Sequence, residues 1–244
     1  MKITEIALTC FVFLIAVSCG KIKYENKAEK LEPVETYSLQ IPEPSDVVFS
    51  NGNFWIVSDE NSTVYKTNVK GEKIYSFIVN GYDLEGITVV EDTLLAIVLE
   101  RSRIVVLTDF MGREIRRYSI DLKGRENSGL EGITYDPVNK HFYLVNEKKP
   151  VLLLETDRNF REISKREIKE VKDLSGIYYS SEDCLWLLSD VDKKIIKYSF
   201  EGEILAEYKI NVEQPEGIAF SKDEGKIYIV SDKMEKLYVY LNPD

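Results

Sequence analysis

Apolar and polar positions recur along this chain as five similar units. Each unit opens with a short segment of similar sequence, and successive segments are 40, 46, 44 and 41 residues apart. The five segments are ProSerAspValVal (44–48), LeuGluGlyIleThr (84–88), LeuGluGlyIleThr (130–134), LeuSerGlyIleTyr (174–178) and ProGluGlyIleAla (215–219). Each is followed by a dense apolar run that ends in a carboxylate, then by a third strand-like run, a turn and usually an alternating fourth run. Short runs of this kind, separated by turns, predict β-strands.

Four short antiparallel strands per unit, repeated radially, are typical of a β-propeller. The fifth unit ends at Asp244 after three strands, and residues 35–42 resemble the missing fourth strand. Pairing that N-terminal strand with the last unit would close the ring and remove exposed strand edges. We therefore predict an all-β fold, a five-bladed β-propeller over residues 35–244, with the last blade closed by the N-terminal strand.

The first residues are typical of an export signal. An apolar stretch from Ile6 to Val17 follows a lysine, and at about 12 residues it is too short for a membrane-spanning helix. The segment AlaValSerCys (16–19) resembles a lipobox, in which the cysteine is acylated after cleavage. We predict a lipoprotein signal peptide over 1–18 and a lipid-anchored, flexible tether over 19–34. An ordinary signal peptide cleaved nearby is the alternative.

The net charge, the single histidine and the few cysteines exclude several classes of function. The chain has a net charge of −10 and no Lys/Arg run longer than two, which excludes a nucleic-acid partner. The single histidine, His141, removes most zinc sites and any Ser–His–Asp triad near the predicted acids, because it begins a strand at the opposite face. Cys184 lies in an apolar run without a partner thiol, so we predict a buried hydrophobe.

Two repeated carboxylate positions fall on one face of the predicted disc, where first strands begin and second strands end. The predicted metal or ligand-binding residues are Glu85, Glu131 and Glu216 from the first strands and Asp59, Glu100, Glu147, Asp190 and Asp232 from the second strands. Ser45 and Ser175 occupy the first-strand position in the other two units. Carboxylates about 7 Å apart repel by about 2 kcal/mol per pair at an effective dielectric constant of 20, so something must offset the charge.

Three offsets remain open. A hard divalent cation, most suitably Ca²⁺, takes 6–8 oxygen ligands and needs no histidine. The acids can instead pair with the basic residues that follow the second strands, namely Arg101, Lys148, Lys149, Lys193, Lys194 and Lys233. They can also accept hydrogen bonds from backbone N–H groups in tight turns. The glycines that follow the first-strand positions (Gly86, Gly132, Gly176, Gly217) are expected to relieve crowding near the axis.

The LeuGluGlyIleThr starts, the SerAsp and AsnGlu strand ends, the five units and the leader together resemble the SdiA-regulated (YjiK-like) family of bacterial envelope β-propeller proteins. That resemblance implies a cell-envelope location and no established enzymatic activity. The ProGluGlyIleAla unit is also similar to an NHL repeat. Gluconolactonase-like propellers usually have six units, so their lactonase residues are not carried over to this chain.

We therefore predict a monomeric, lipid-anchored cell-envelope propeller, exported across the inner membrane. It would act as a non-catalytic binding or sensing module, with an acidic, calcium-binding channel mouth that takes a cation, a small ligand or a protein. One alternative is a metal-dependent hydrolase of phosphoesters, lactones or glycosides that uses a channel-mouth glutamate as general base. Another is an interaction scaffold that uses its outer rim.

Overall fold

The computed structural model describes residues 28–122, 129–182 and 184–243. The predicted signal peptide, Cys19 and most of the predicted tether lie outside the described residues. The strands are β1 (Glu29–Lys30), β2 (Glu35–Ser38), β3 (Pro44–Ser50), β4 (Asn53–Ser58), β5 (Thr63–Thr67), β6 (Lys73–Ile78), β7 (Leu84–Val90), β8 (Leu94–Leu99), β9 (Ile104–Asp109), β10 (Glu114–Ser119), β11 (Leu130–Asp136), β12 (His141–Asn146), β13 (Leu152–Thr156), β14 (Glu162–Glu167), β15 (Gly176–Ser180), β16 (Cys184–Ser189), β17 (Lys194–Ser199), β18 (Ile204–Lys209), β19 (Pro215–Phe220), β20 (Lys226–Ser231) and β21 (Lys236–Leu241). Among the described residues, no helix is long and apolar enough to cross a bilayer.

Five antiparallel sheets form the five blades of a β-propeller, as predicted. Blades 1 to 4 follow chain order as β3–β6, β7–β10, β11–β14 and β15–β18, and blade 5 combines β19, β20 and β21 with β2. Strand β2 pairs antiparallel with β21 from Glu35 opposite Val239 to Ser38 opposite Lys236. The N-terminal strand therefore closes the ring.

Burial follows the position of each strand within its blade. Strand β16 is buried at all six positions, because neighbouring blades cover both of its faces, whereas β14 at the periphery is exposed at all six. The apolar side chains pack between blades: Trp186 of blade 4 lies in one cluster with Ile229 and Tyr240 of blade 5. Cys184 is a free thiol and is buried, as predicted.

The described end of the predicted tether is bound to the propeller domain. Glu29 and Lys30 pair in parallel with Tyr208 and Lys209 of β18, and they add a fifth strand to blade 4. The Leu31 N–H donates to the Lys209 carbonyl at 2.9 Å, and the Leu31 side chain is buried in the cluster between blades 4 and 5. The prediction of a flexible tether is therefore wrong for this part, since an open strand edge and an apolar contact hold it.

Close approach at the axis accounts for the repeated glycines. A Cβ added to Gly86 would lie 3.2 Å from the Cα of Gly132, and one added to Gly176 would lie 2.9 Å from the Glu216 carbonyl oxygen. A Cβ on Gly217 would lie 2.6 Å from the Cα of Asp46. Backbones of neighbouring blades therefore meet where a side chain does not fit, as the sequence predicted.

Candidate cation-binding site at the acidic channel mouth

The first-strand carboxylates lie at β-bulges. Register shifts between Leu84 and Gly86, and between Leu130 and Gly132, leave Glu85 and Glu131 as the extra residues in their strands. The shift between Pro215 and Gly217 does the same for Glu216. A bulge bends its strand and redirects a side chain, so the repeated irregularity directs these glutamates to the channel mouth.

The second-strand carboxylates are held beside the bulges by backbone hydrogen bonds. The Glu100 N–H donates to the Asp83 carbonyl at 2.9 Å, and the Glu147 N–H donates to the Gly129 carbonyl at 3.0 Å. The N–H groups of Asp59 and Asp232 donate in the same way to the residue before their own first strand. The ends of four second strands are thus bonded to the residue before the first strand of the same blade, which brings the two repeated acidic positions together.

In two blades the residue at the first-strand position is serine, and its hydroxyl forms hydrogen bonds with backbone groups. The Ser45 hydroxyl donates to the Glu43 carbonyl at 3.2 Å and accepts from the Asp59 N–H at 3.1 Å. The Ser175 hydroxyl donates to the Pro215 carbonyl at 2.7 Å. By contrast, Glu85, Glu131 and Glu216 make no hydrogen bond or ion pair with any residue that the structure describes.

Three carboxylates converge most closely. One oxygen each of Glu100, Glu131 and Glu147 lies within 4.8 Å of the other two. Glu131 is only 9% exposed, and the Gly129 N–H donates to Glu100 Oε1 at 3.0 Å. A group of oxygens this close, with one member buried and without a described partner, has the chemistry of a hard-cation site.

Burial and mutual repulsion raise the pKa of the inner carboxyl groups. Burial is the main reason that the pKa values of Glu85 and Glu131 lie well above the usual range, and neighbouring carboxylates raise them further. Burial, followed by the charges of Asp190 and Asp232, raises the pKa of Glu216 to about 8. The pKa of Asp59 is raised to about 6, again mainly by burial. Near neutral pH the raised pKa therefore favours the protonated form of Glu216.

Local ion pairs neutralise only part of the ring. Lys148 pairs with Glu147, and Lys193 pairs with Asp190 at 2.7 Å. The other basic residues proposed for this purpose lie elsewhere in the described structure or have other partners: Arg101 pairs with Asp83, Lys194 with Glu207 and Lys233 with Glu213. Local pairing therefore serves two of the second-strand acids and leaves the first-strand glutamates uncompensated.

Two buried aspartates that the sequence analysis did not single out complete the site. Asp46 stands where the other four blades have glycine, and its carboxylate accepts from Val47 N–H at 2.7 Å and Ile87 N–H at 2.8 Å. Asp173 accepts from the Ser189 hydroxyl at 2.5 Å and the Asp190 N–H at 3.0 Å. The charged residue at a glycine position was the available signal for Asp46.

His141 begins β12 opposite Asp136, at the far end of β11 from Glu131. Its Nδ1 lies 2.8 Å from Glu155 Oε1, and the ring is partly exposed. The histidine therefore lies away from the acidic mouth, with a local carboxylate partner.

The comparisons with known proteins agree with this architecture. The family model described as SdiA-regulated matches residues 43–240. None of the curated proteins matches the chain in sequence.

Solved structures with a similar fold include two enzymes and a WD40 propeller domain. Glutaminyl cyclase from Myxococcus xanthus is 11% identical, with a TM-score of 0.66, and the match covers 87% of this chain and 97% of that one. Virginiamycin B lyase from Staphylococcus aureus is 18% identical, with a TM-score of 0.53, over 86% of this chain and 74% of that one. The WD40 propeller domain of Doa1 is 12% identical, with a TM-score of 0.55, over 81% and 63%. At these identities the likeness concerns the fold alone.

Proposed function

Since the chain belongs to the SdiA-regulated family, we propose that it is a lipid-anchored envelope propeller that binds calcium at its acidic channel mouth as a non-catalytic binding or sensing module. The observation that carries the proposal is the convergence of Glu100, Glu131 and Glu147 within 4.8 Å, with Glu131 buried and lacking a described partner. On binding, the cation would displace the protons that the inner carboxyl groups hold because their pKa values are raised.

Calcium suits this oxygen set better than other metals. It accepts 6–8 oxygen ligands in flexible geometry, including bidentate carboxylates, whereas magnesium requires a near-ideal octahedron and gives up water reluctantly. Zinc sites prefer histidine and cysteine, and neither lies in the described cluster. Extracellular calcium modules bind at about 10⁻⁴–10⁻³ M, which suits a protein exported to the envelope.

Melting curves with calcium, with magnesium and with a chelator test the cation. Calcium should raise the melting temperature, because a ligand that binds only the folded state stabilises it by about 2.7 kcal/mol at one hundred times Kd. The rise should shrink in the triple variant Glu85→Gln/Glu131→Gln/Glu216→Gln. That variant should also be more stable than the wild type in chelator, because neutral amides neither repel one another nor have to take up protons on folding.

A charge-matched control distinguishes loss of the site from a change in the overall charge of the protein. Glu167, Glu170 and Glu201 are exposed on the outer surface, and their triple Gln variant should keep the full calcium response. A wild-type melting curve that ignores both cations, with an inner triple variant no more stable than wild type, would contradict the proposal.

The leader supports the anchoring part of the proposal. Cys19 ends the AlaValSerCys segment, outside the described residues. Cys19→Ser should abolish labelling by radioactive palmitate and release the protein from the membrane fraction or leave the precursor uncleaved. Unchanged labelling, processing and fractionation would contradict the lipid anchor and favour an ordinary exported protein.

Catalysis at the same mouth is a second candidate function, supported by one observation. The pKa of Glu216, raised to about 8, would allow this residue to exchange a proton near neutral pH as a general acid or base in metal-dependent hydrolysis. Chromogenic phosphoesters, lactones and glycosides, assayed with calcium, test it. Turnover that Glu216→Gln abolishes would favour catalysis, and no turnover by the wild type would remove it.

A further inference from the structure

The channel has a second open end, with different chemistry from the acidic mouth. A cavity of about 440 Å³ lies among the later residues of the first strands and the turns that follow them. Its inner wall is a ring of branched aliphatic side chains, one from each blade: Val47, Ile87, Ile133, Ile177 and Ile218. Each of these residues is almost fully buried. The volume is within the range of small-molecule sites.

A layer of backbone and one carboxylate separates this pocket from the acidic mouth. Gly86, Gly132, Gly176 and Gly217 precede the aliphatic ring in four blades, and Asp46 precedes it in the fifth. Asp46 spans part of the layer, because its carboxylate accepts the N–H groups of Val47 and Ile87. A molecule in the pocket would therefore lie apart from a cation at the mouth.

The pocket wall contains a hydroxyl that is available to a ligand. Thr88 is only 6% exposed, lines the cavity, and makes no hydrogen bond through its hydroxyl with any described residue. The comparable hydroxyl of Thr134 already accepts the Tyr179 N–H at 2.9 Å. A ligand hydroxyl in the cavity would therefore meet no competition from a described protein group at Thr88.

The rim of the pocket is acidic and aromatic. Glu224 accepts hydrogen bonds from the Ser180 hydroxyl at 2.6 Å and the Ser181 N–H at 2.9 Å, which fix it at the edge of the cavity. Glu91 pairs with Lys140 at 3.1 Å, whereas Asp92 is exposed and has no described partner. The tyrosines Tyr135, Tyr178 and Tyr179 also line the cavity. After the Lys140 pair is counted, the rim retains negative charge.

We propose that this pocket binds a small organic amine with an apolar or aromatic body. The aliphatic ring accepts the body, the tyrosine faces and the rim carboxylates favour a positive charge, and Thr88 is available to a hydroxyl at the far end of the ligand. An anion would be repelled at the rim, and a bare metal ion would find too few oxygens beside the aliphatic ring. The proposal does not depend on calcium at the opposite mouth.

Calorimetric titration of the mature protein with three probes tests the pocket. Tyramine carries an amine and a phenol hydroxyl, phenethylamine lacks the hydroxyl, and 3-phenylpropionate carries a negative charge instead. Tyramine should bind most tightly, phenethylamine more weakly, and phenylpropionate not detectably. Asp92→Asn should weaken both amines about two- to fivefold, the size expected for an exposed charge pair, while Asp121→Asn on the outer surface should have no effect.

The hydroxyl contact has its own matched pair of variants. Thr88→Val keeps the side-chain shape and should abolish the preference for tyramine over phenethylamine. Thr108 also has a buried hydroxyl without a described partner, but it lies outside the pocket, so Thr108→Val should leave that preference unchanged. Equal affinity for the amines and the anion, or no binding of any probe at millimolar concentration by a protein with a wild-type melting curve, would overturn the proposal.

Discussion

The two ends of the central channel are built from the same five strands and yet have opposite chemistry. At the acidic mouth, Glu85, Glu131 and Glu216 stand at bulges without described partners, and their pKa values are raised. At the other end, Glu91 and Glu224 are paired or hydrogen-bonded around an apolar cavity. Most of the charge at the apolar end is compensated in place, with the exposed Asp92 as the exception at its rim, whereas the three inner glutamates of the acidic mouth have no described partner.

A second contrast within the acidic mouth separates the serine copies of the repeat from the glutamate copies. Ser45 and Ser175 satisfy backbone groups at the same position where three blades have glutamate. Their role is therefore structural. The glutamates serve no such backbone group among the described residues, so their retention of buried charge or protons requires another reason.

Opening the ring should produce the largest loss of stability, because both ends of the channel form only in the closed propeller. We compare chains that start at residues 28, 35 and 42. Loss of β2 with the buried Leu39 and Ile41 exposes the edge of β21, so the shortest chain should not fold cooperatively in urea. Loss of only 28–34 removes the buried Leu31 and should cost about 2 kcal/mol.

Equal stability of all three chains would contradict the closed ring. Equal stability of the chains that start at 28 and 35 would instead show that β1 adds no stability to blade 4.

Asp46→Gly should produce the next largest effect, because it removes the group that separates the two ends. The substitution restores the residue of the other four blades but leaves the buried Val47 and Ile87 N–H groups without their acceptor. We expect a loss of about 2–6 kcal/mol in urea unfolding, since each of the two buried unpaired donors costs about 1–3 kcal/mol. Asp92→Asn at the opposite rim should change stability by less than about 0.5 kcal/mol. If both variants unfold alike, Asp46 does not organise the channel.

The stability of the calcium-free protein should fall as pH rises from about 5 to about 8. Glu216, with a pKa raised to about 8 in the folded state, keeps its proton above the pH at which the unfolded chain releases it. Its contribution is therefore complete at low pH and is lost as pH rises through the folded pKa. Each fully titrating group of this kind contributes about 1.4 kcal/mol per pH unit.

The pH slope distinguishes the acidic mouth from the rest of the molecule. Glu216→Gln should flatten it in chelator, whereas Glu170→Gln on the outer surface should not. A wild-type protein that becomes more stable between pH 5 and pH 8 would contradict the raised pKa values.

The smallest expected effect compares serine with glutamate at the first-strand position. Ser175→Ala removes the hydrogen bond to the Pro215 carbonyl and should cost about 1 kcal/mol without changing calcium binding. Glu131→Gln at the equivalent position should weaken calcium binding and should not lower calcium-free stability. Loss of calcium binding in both variants would mean that the serine also serves the site.

The sequence predicted the blades well because their signal is repeated. Dense apolar runs such as β16 must be buried on both faces, and five copies made each strand easier to recognise. The β1 pairing was not predictable in this way, because two charged residues, Glu29 and Lys30, carry no apolar periodicity. Only backbone hydrogen bonds to β18 and the single apolar Leu31 hold them.

The sequence predicted where the carboxylates of the candidate site lie, but not which of them have ion-pair or hydrogen-bond partners. Repeat alignment brought the eight carboxylates to one mouth, because antiparallel strands put those positions side by side. Which acids are paired depends on side-chain reach: Lys148 reaches Glu147, whereas Arg101 pairs with Asp83 rather than with the adjacent Glu100. The role of Asp46 depends on a backbone approach between blades that no local pattern encodes.

Counting calcium ions by titration calorimetry tests the central claim most directly. The account predicts one ion per wild-type chain at the cluster of Glu100, Glu131 and Glu147, loss of that binding in Glu131→Gln, and unchanged binding in Asp92→Asn at the opposite end. Absence of binding to the wild-type protein, or equal binding by Glu131→Gln and the wild type, would contradict it.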